Sequence, residues 1–150
     1  MNNSRLEEMR ELNDLTKKKF AEILGVSDSI YARWENERDA IPTKRLYQIA
    51  NYFEINIDYL LGLTDIKISI KSDDEINPEI VATRVREIRQ DFNESLRDFS
   101  KRLNTSNSTW SAYETGKVLI LESFLVEVCK FGNYSADWIL GRTNKKNIDE

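Results

Sequence analysis

Histidine is absent from this chain of 150 residues, and Cys129 is its only cysteine. Such a chain has few ligands for a transition metal and no second thiol for an internal disulfide. It also lacks a glycine-rich phosphate loop and the sharp turn that presents a catalytic serine. We therefore expect no enzymatic activity, no cofactor and no small-molecule ligand, and we expect Cys129 to be a small buried apolar residue.

Long hydrophobic runs are also missing, and the longest ones are too short to cross a bilayer. The N-terminal residues MNNSRLEEMREL lack the basic-then-apolar order of a secretory signal. Hydrophobic residues make up 40% and charged residues 32% of the chain, which is typical of a soluble globular protein. A single cysteine suits a reducing compartment, so we expect a cytoplasmic protein without a membrane partner.

Excess positive charge is missing too, since the net charge is −4 and the pI is near 5.1. This balance disfavours indiscriminate DNA binding, which depends on neutralising phosphates. The acidity is concentrated, however: residues 65–79 carry 2 basic and 5 acidic groups, whereas residues 80–150 carry 11 and 10. A localised basic face therefore remains compatible with the composition.

The most informative stretch that is present runs from Phe20 to Arg38. Apolar residues at helical spacing lead up to Gly25, which favours a helix end, and Ser27 is a good N-cap for a following helix. That second helix can bury one face through three apolar residues: Ile30, Tyr31 and Trp34. A helix, a glycine turn and a helix with small polar residues outside form the helix-turn-helix pattern. Similar signals predict five helices in the first half: 5–13, 17–24, 29–36, 43–53 and 56–61.

The pattern then restarts without a gap after 79 residues, so that Phe20 falls on Phe99 and Glu35 on Glu114. A repeat of this length indicates two domains of one fold. The predicted fold class is all-α, with two tandem five-helix domains. The expected bounds are a first domain at 1–64, a connector at 65–79, a second domain at 80–142 and a flexible tail at 143–150.

The connector contains Ile66, Ile68 and Ile70 in alternation with polar residues, which is a period of two. One interpretation is a β-strand that pairs with its twin in a dimer. The other is an extended tether whose isoleucines pack on one domain. The sequence leaves both open.

Several short motifs in register carry a family resemblance: Leu24-Gly25-Val26-Ser27, Arg33-Trp34-Glu35 and Asp58-Tyr59-Leu60-Leu61-Gly62. Residues 5–64 resemble the phage repressor and Cro-like (XRE-type, lambda-repressor-like) helix-turn-helix family, and residues 106–117 resemble it again. The resemblance implies a sequence-specific transcriptional regulator, a repressor, that binds double-stranded DNA with the recognition helix 28–36 in the major groove.

The resemblance also implies contact residues. It places Thr16, Lys17, Lys18, Asn36 and Arg38 beside phosphates. Base edges would be read from four positions: Asp28, Ser29, Ala32 and Arg33. An arginine can donate two hydrogen bonds to guanine, whereas Asp28 has an alternative role as a first-turn acid that favours the helix dipole. The matching positions of the second copy are Asn107, Ser108, Ser111 and Lys117.

The second copy is less suited to recognising DNA bases. Ala112 stands where the first copy has Arg33, and the apolar run 118–121 stands where the first copy has Arg38-Asp39-Ala40-Ile41. That run is either a protein interface or ordinary core. The resemblance further implies two ion pairs behind the DNA-facing surface, Arg10–Glu35 and Arg89–Glu114. Three tryptophans are expected in the cores by their spacing: Trp34, Trp110 and Trp138.

Two quaternary arrangements and a second function follow from these residues. The two copies of one chain could bind DNA as a pseudo-dimer, or, as we prefer, a homodimer could join through its second copies while the first copies read DNA. The alternative function is a protein-interaction module, such as an antirepressor that keeps the fold without DNA binding.

Overall fold

The computed structural model describes residues 4–148, which contain ten helices and no β-strand. The all-α prediction is confirmed for these residues. The chain divides into two compact units, of which the first ends at Asp74 and the second begins at Glu75. The first unit contains α1 (Ser4–Leu12), α2 (Lys17–Leu24), α3 (Asp28–Glu35), α4 (Thr43–Phe53) and α5 (Ile57–Leu60). The second contains α6 (Pro78–Asp91), α7 (Leu96–Arg102), α8 (Asn107–Glu114), α9 (Glu122–Gly132) and α10 (Ala136–Ile139).

Capping residues set the bounds of α2 and α3. The Thr16 hydroxyl accepts a hydrogen bond from the Lys19 N–H (3.0 Å), and the Ser27 hydroxyl accepts one from the Ile30 N–H (3.2 Å). Between the helices, Gly25 has φ 76°, a left-handed conformation that costs glycine little. These local signals account for the agreement between the predicted and observed helix positions.

Aromatic residues hold α3 against α2 in the first unit. Phe20 and Tyr31 meet edge to face, with their ring centres 5.4 Å apart, and both are fully buried. Trp34 follows one turn later on the same face and is 3% exposed. The second unit repeats this packing with Phe99 and Trp110, whose ring centres are 5.2 Å apart. The three tryptophans and Cys129 are buried as predicted.

A buried ion pair joins α1 to the end of α3. Arg10 Nε donates to Glu35 Oε2 at 2.7 Å, and a second guanidinium nitrogen donates to the Leu15 carbonyl at 2.7 Å. In the second unit Arg89 contacts Glu114 at 2.7 Å in the same way. Both predicted ion pairs are confirmed, and each fixes the position of α3 or α8 rather than adding much stability.

The connector lies extended against the first unit. The backbone of Ile68 bonds to Asn56 in both directions, and Ile55 and Ser69 form an isolated antiparallel bridge. Ile66 and Ile68 are nevertheless 67% and 50% exposed, so they do not pack on the domain as the tether interpretation expected. The alternation of side chains along the connector explains this exposure. The side chain of Lys67 points toward the unit, with its ammonium 5.7 Å from the centre of the Tyr59 ring, so the isoleucines on either side of it point away.

Residues 143–148, which the sequence assigned to a flexible tail, make specific contacts in the structure. Arg84 donates to the carbonyl of Thr143, and Asn147 forms an antiparallel bridge with Tyr134. Arg5 makes the matching contact with Thr64 in the first unit, at the same separation of 59 residues. The segment thus takes the place that the connector takes in the first unit. Residues 149 and 150 lie outside the described residues.

Lys146 ties this segment to α6, and its replacement tests the contact. Its ammonium lies 2.7 Å from carboxylate oxygens of both Glu87 and Asp91. Burial opposes ionisation of Asp91, but hydrogen bonds from Lys146 and Tyr134 hold its pKa below the usual value. Burial, then the Asp91 carboxylate, raises the pKa of Tyr134 to about 12.

Lys146→Ala is expected to destabilise the second unit at neutral pH by less than about 1 kcal/mol, since all three charged groups are partly exposed to solvent. A carboxylate whose pKa is lowered by folding stabilises the fold at pH values above its unfolded-state pKa. This stabilisation is lost as the pH falls through its folded-state pKa. The stability difference between the variant and the native chain should therefore shrink towards pH 3. Urea unfolding at pH 7 and pH 3 measures it, and a pH-independent difference would contradict this role of Asp91.

Candidate nucleic-acid interface

The exposed face of α3 is the centre of the candidate site. At about 100° per residue, Ser29 and Arg33 lie opposite the buried residues Tyr31 and Trp34. Asp28, Ser29 and Arg33 are exposed and Ala32 is half-buried. The Ser29 hydroxyl lies 3.2 Å from the hydroxyl of the cap residue Ser27. All four residues expected to read bases therefore lie on or beside one accessible face.

The residues expected beside phosphates flank this face. Thr16 is the N-cap of α2, and Lys17 and Lys18 are exposed in the first turn of that helix. Free N–H groups at a helix start and two lysines together favour an anion. Asn36 and Arg38 are exposed just after α3. Glu37, between them, has a φ of 59°, a conformation that glycine adopts more easily.

Arg33 is held by a partner that the sequence did not reveal. Its Nε lies 2.6 Å from Asp39 Oδ2 and its Nη2 lies 3.1 Å from Asp39 Oδ1, which is a two-pronged contact. A hydrogen bond and the opposite charge raise the pKa of Arg33 and lower that of Asp39. Because a guanidinium carries five N–H donors, its outer edge, Nη1 and the second Nη2 proton, remains available to another acceptor.

Ile30 differs from its predicted position. The sequence placed it among the buried residues of α3, but it is 45% exposed. The buried face of the helix is centred between Tyr31 and Trp34, and Ile30 falls at its edge. An exposed isoleucine beside Ser29 and Arg33 offers an apolar surface of the kind that contacts a thymine methyl group.

The second unit presents a different surface at the matching positions. Asn107, Ser108 and Lys117 are exposed and Ser111 is half-buried. A cleft of about 470 Å³ lies at the α7–α8 turn and is lined by Arg97, Lys101, Asn104, Thr105, Ser106 and Asn107. Both members of the Arg33–Asp39 pair have apolar counterparts here, Ala112 and Val118.

The apolar loop 118–121 is part core and part surface. Ile120 is fully buried, whereas Val118 and Leu121 are 54% and 56% exposed. Ile120 therefore belongs to the core, whereas Val118 and Leu121 are accessible for a protein contact.

Two other kinds of site are absent from residues 4–148. No group of three or more acidic, cysteine or histidine side chains there could hold a metal ion. No helix in that range is long and apolar enough to cross a membrane.

The family comparison addresses the first unit. Residues 3–66 match a family described as a helix-turn-helix domain. The chain is also 36% identical over 61 residues to an uncharacterized HTH-type transcriptional regulator of Bacillus subtilis (strain 168), YobD. That alignment covers 41% of this chain, which spans about half (54%) of the relative's length. No solved structure is significantly similar to the chain. Residues 3–66 are therefore similar in sequence to helix-turn-helix domains.

Proposed function

We propose that the chain is a sequence-specific DNA-binding transcriptional regulator that acts in the cytoplasm as a repressor, with residues 28–36 in the major groove. The observation that supports this most is the accessible face of α3, on which Ser29 and Arg33 stand clear of a rigid aromatic core. A helix of this kind, held from behind and flanked by cations, is what major-groove readout requires.

Two classes of contact follow for the first unit. Lys17, Lys18 and Arg38 neutralise phosphates and set the register, while Thr16 and Asn36 offer polar groups beside them. Arg33 supplies the base discrimination, with Ser29, Ala32 and Asp28 beside it. Asp28 is tolerated because it also favours the positive end of the α3 dipole.

The second unit is proposed as a second helix-turn-helix domain with a lesser part in DNA binding. Asn107, Ser108, Ser111 and Lys117 can add contacts, but no arginine occupies the Arg33 position. A homodimer then supplies the second reading helix for a neighbouring half-site. The exposed side chains of Val118 and Leu121 support a protein contact at this unit.

One observation favours the alternative, an interaction module without DNA binding. Four exposed acidic residues lie in α2, α3 and the turn after α3: Glu22, Asp28, Glu37 and Asp39. A regulator and an interaction module differ in their response to salt, because only phosphate neutralisation releases counterions.

A salt titration against random duplex DNA tests the proposal. With three phosphate contacts per first unit, the logarithm of the affinity should fall with the logarithm of the salt concentration, with a slope of about −2.7 per first unit. Lys18→Ala should reduce this slope by about 0.9. Lys130→Ala, an exposed lysine on α9, is the control and should leave the slope unchanged. Undetectable binding at low salt would instead favour the interaction module.

A further inference from the structure

The connector of the first unit has one bonded edge and one open edge. Asn56 N–H donates to the Ile68 carbonyl (3.0 Å), Ile68 N–H donates to Asn56 Oδ1 (2.8 Å), and Ile70 N–H donates to the Glu54 carbonyl (3.1 Å). Successive residues of an extended chain direct their polar groups to opposite sides. The backbone groups of Lys67 and Ser69 therefore face away from the unit, and no residue from 4 to 148 bonds to them. This is an unpaired strand edge of the kind that recruits another strand.

The isoleucines beside this edge are not needed to fold the unit. Ile66 and Ile68 are at least half exposed. The second unit makes a similar bridge, between Tyr134 and Asn147, from the polar segment Asn144-Lys145-Lys146-Asn147. Since a polar sequence suffices for that backbone arrangement, exposed isoleucines in the first unit call for another explanation, and a covered apolar strip is the simplest.

The charged residues of the connector favour a second copy of this chain as the partner strand, and they favour one register of pairing. If residues 65–71 pair antiparallel with the same residues of a second copy about Ile68, Asp65 lies opposite Lys71 at both ends, and Ile66 lies opposite Ile70. The Asp65 carboxylate contacts Arg5 at 2.5 Å, but its side chain is 97% exposed and can also face Lys71. Opposite charges in such cross-strand positions stabilise a pair, and like charges destabilise it. A pair centred on Ser69 would instead place Lys67 opposite Lys71. A pair centred on Lys67 would place the two copies of that lysine opposite each other.

We propose that residues 65–71 are a self-recognition strand that pairs antiparallel with a second copy of this chain, with Ile68 opposite Ile68. Lys67 and Ser69 exchange backbone hydrogen bonds across the two-fold axis, and six isoleucines cover one another on one face. The contact is short, so it belongs with weak interfaces below about 1,200 Å². It holds whether or not the chain binds DNA.

Cysteine cross-linking in the full chain tests the register. In the proposed pair the two Ile68 residues form a non-hydrogen-bonded pair with a Cα separation of about 4.5 Å, which a disulfide can bridge. Ile68→Cys should therefore form a covalent dimer under mild oxidation. Ile66→Cys is the matched control, because its two copies lie about 13 Å apart at 3.3 Å per residue and exceed the reach of a disulfide. The native chain, whose Cys129 is buried, gives the background.

Sedimentation equilibrium at high micromolar concentration tests the contact without a new covalent bond. Ile68→Lys should weaken dimer formation by at least about tenfold, since it places two like charges opposite each other. Leu12→Lys, a substitution at another exposed apolar residue of the same unit, should leave it unchanged. Equal cross-linking of Ile66→Cys and Ile68→Cys would overturn the proposal. So would a dimer that withstands Ile68→Lys but is lost on Leu121→Lys, since the interface would then be the 118–121 loop.

Discussion

Replacing Arg10 with alanine is expected to unfold most of the first unit while leaving the second unit folded. The Glu35 side chain is 1% exposed and the Arg10 side chain 9% exposed, so the variant would leave a carboxylate buried without its counter-ion. Removing one partner of such a pair costs about 3–5 kcal/mol. A unit of this size has little stability in reserve. Amide hydrogen exchange, followed separately over the two units, measures the effect as lost protection in α1–α5 alone.

Two control variants isolate the cause. Lys19→Ala removes a surface contact with Glu22. The two side chains are 60% and 72% exposed, so this variant should change the hydrogen-exchange protection little. The double replacement Arg10→Met with Glu35→Leu removes both charges and restores apolar packing, so protection should largely return. If the double variant is as unprotected as Arg10→Ala, the hydrogen bond from Arg10 to the Leu15 carbonyl, rather than the ion pair, is the essential contact.

The helices of the first unit could be predicted because their signals are local. Gly25 and Ser27 each act within a few residues and have the predicted role in the structure, and Thr16 caps α2 by an equally local hydrogen bond. The two Arg–Glu ion pairs join residues 25 positions apart, beyond any local rule. They were predicted from the family resemblance instead.

Register and turn geometry could not be predicted. The alternation of Ile66, Ile68 and Ile70 correctly indicates an extended chain, but period alone does not say which side faces the protein. The Lys67 side chain settles this by lying over Tyr59, a contact across eight residues and a turn. The prediction that Ile30 is buried was wrong for a similar reason. In a helix of eight residues, the positions of Ile30, Tyr31 and Trp34 do not fix where the centre of the buried face lies.

The packing of residues 143–148 had a signal in the sequence that composition obscured. The 79-residue shift continues past Gly141, so that Thr64 and Asp65 fall on Thr143 and Asn144. Those residues meet Arg84 as their counterparts meet Arg5. A repeat can therefore predict contacts for a polar segment that resembles a free tail.

The partner of Arg33 could not be predicted either, and it changes what we expect of the proposed DNA-reading face of α3. Asp39 lies six residues beyond Arg33, outside the spacings at which helical side chains meet. The turn after α3, in which Glu37 has a positive φ, brings the carboxylate back to the guanidinium. Asp39 thus holds Arg33 by one edge and leaves the other edge directed outward, so we propose that it positions the arginine for a guanine.

Asp39→Ala is therefore expected to bind random DNA more tightly yet discriminate less. Removing a carboxylate near phosphates raises non-specific affinity. Freeing the guanidinium relaxes the preference at one base pair, towards the roughly ten- to hundredfold loss expected for Arg33→Ala. Selection of sites from a random DNA pool, with the native chain and both variants, measures this preference, and Asp73→Ala serves as the charge-matched control. Tighter binding with an unchanged preference would mean that Asp39 only competes with DNA for Arg33, whereas failure of the native chain to select any site would remove the regulator function itself.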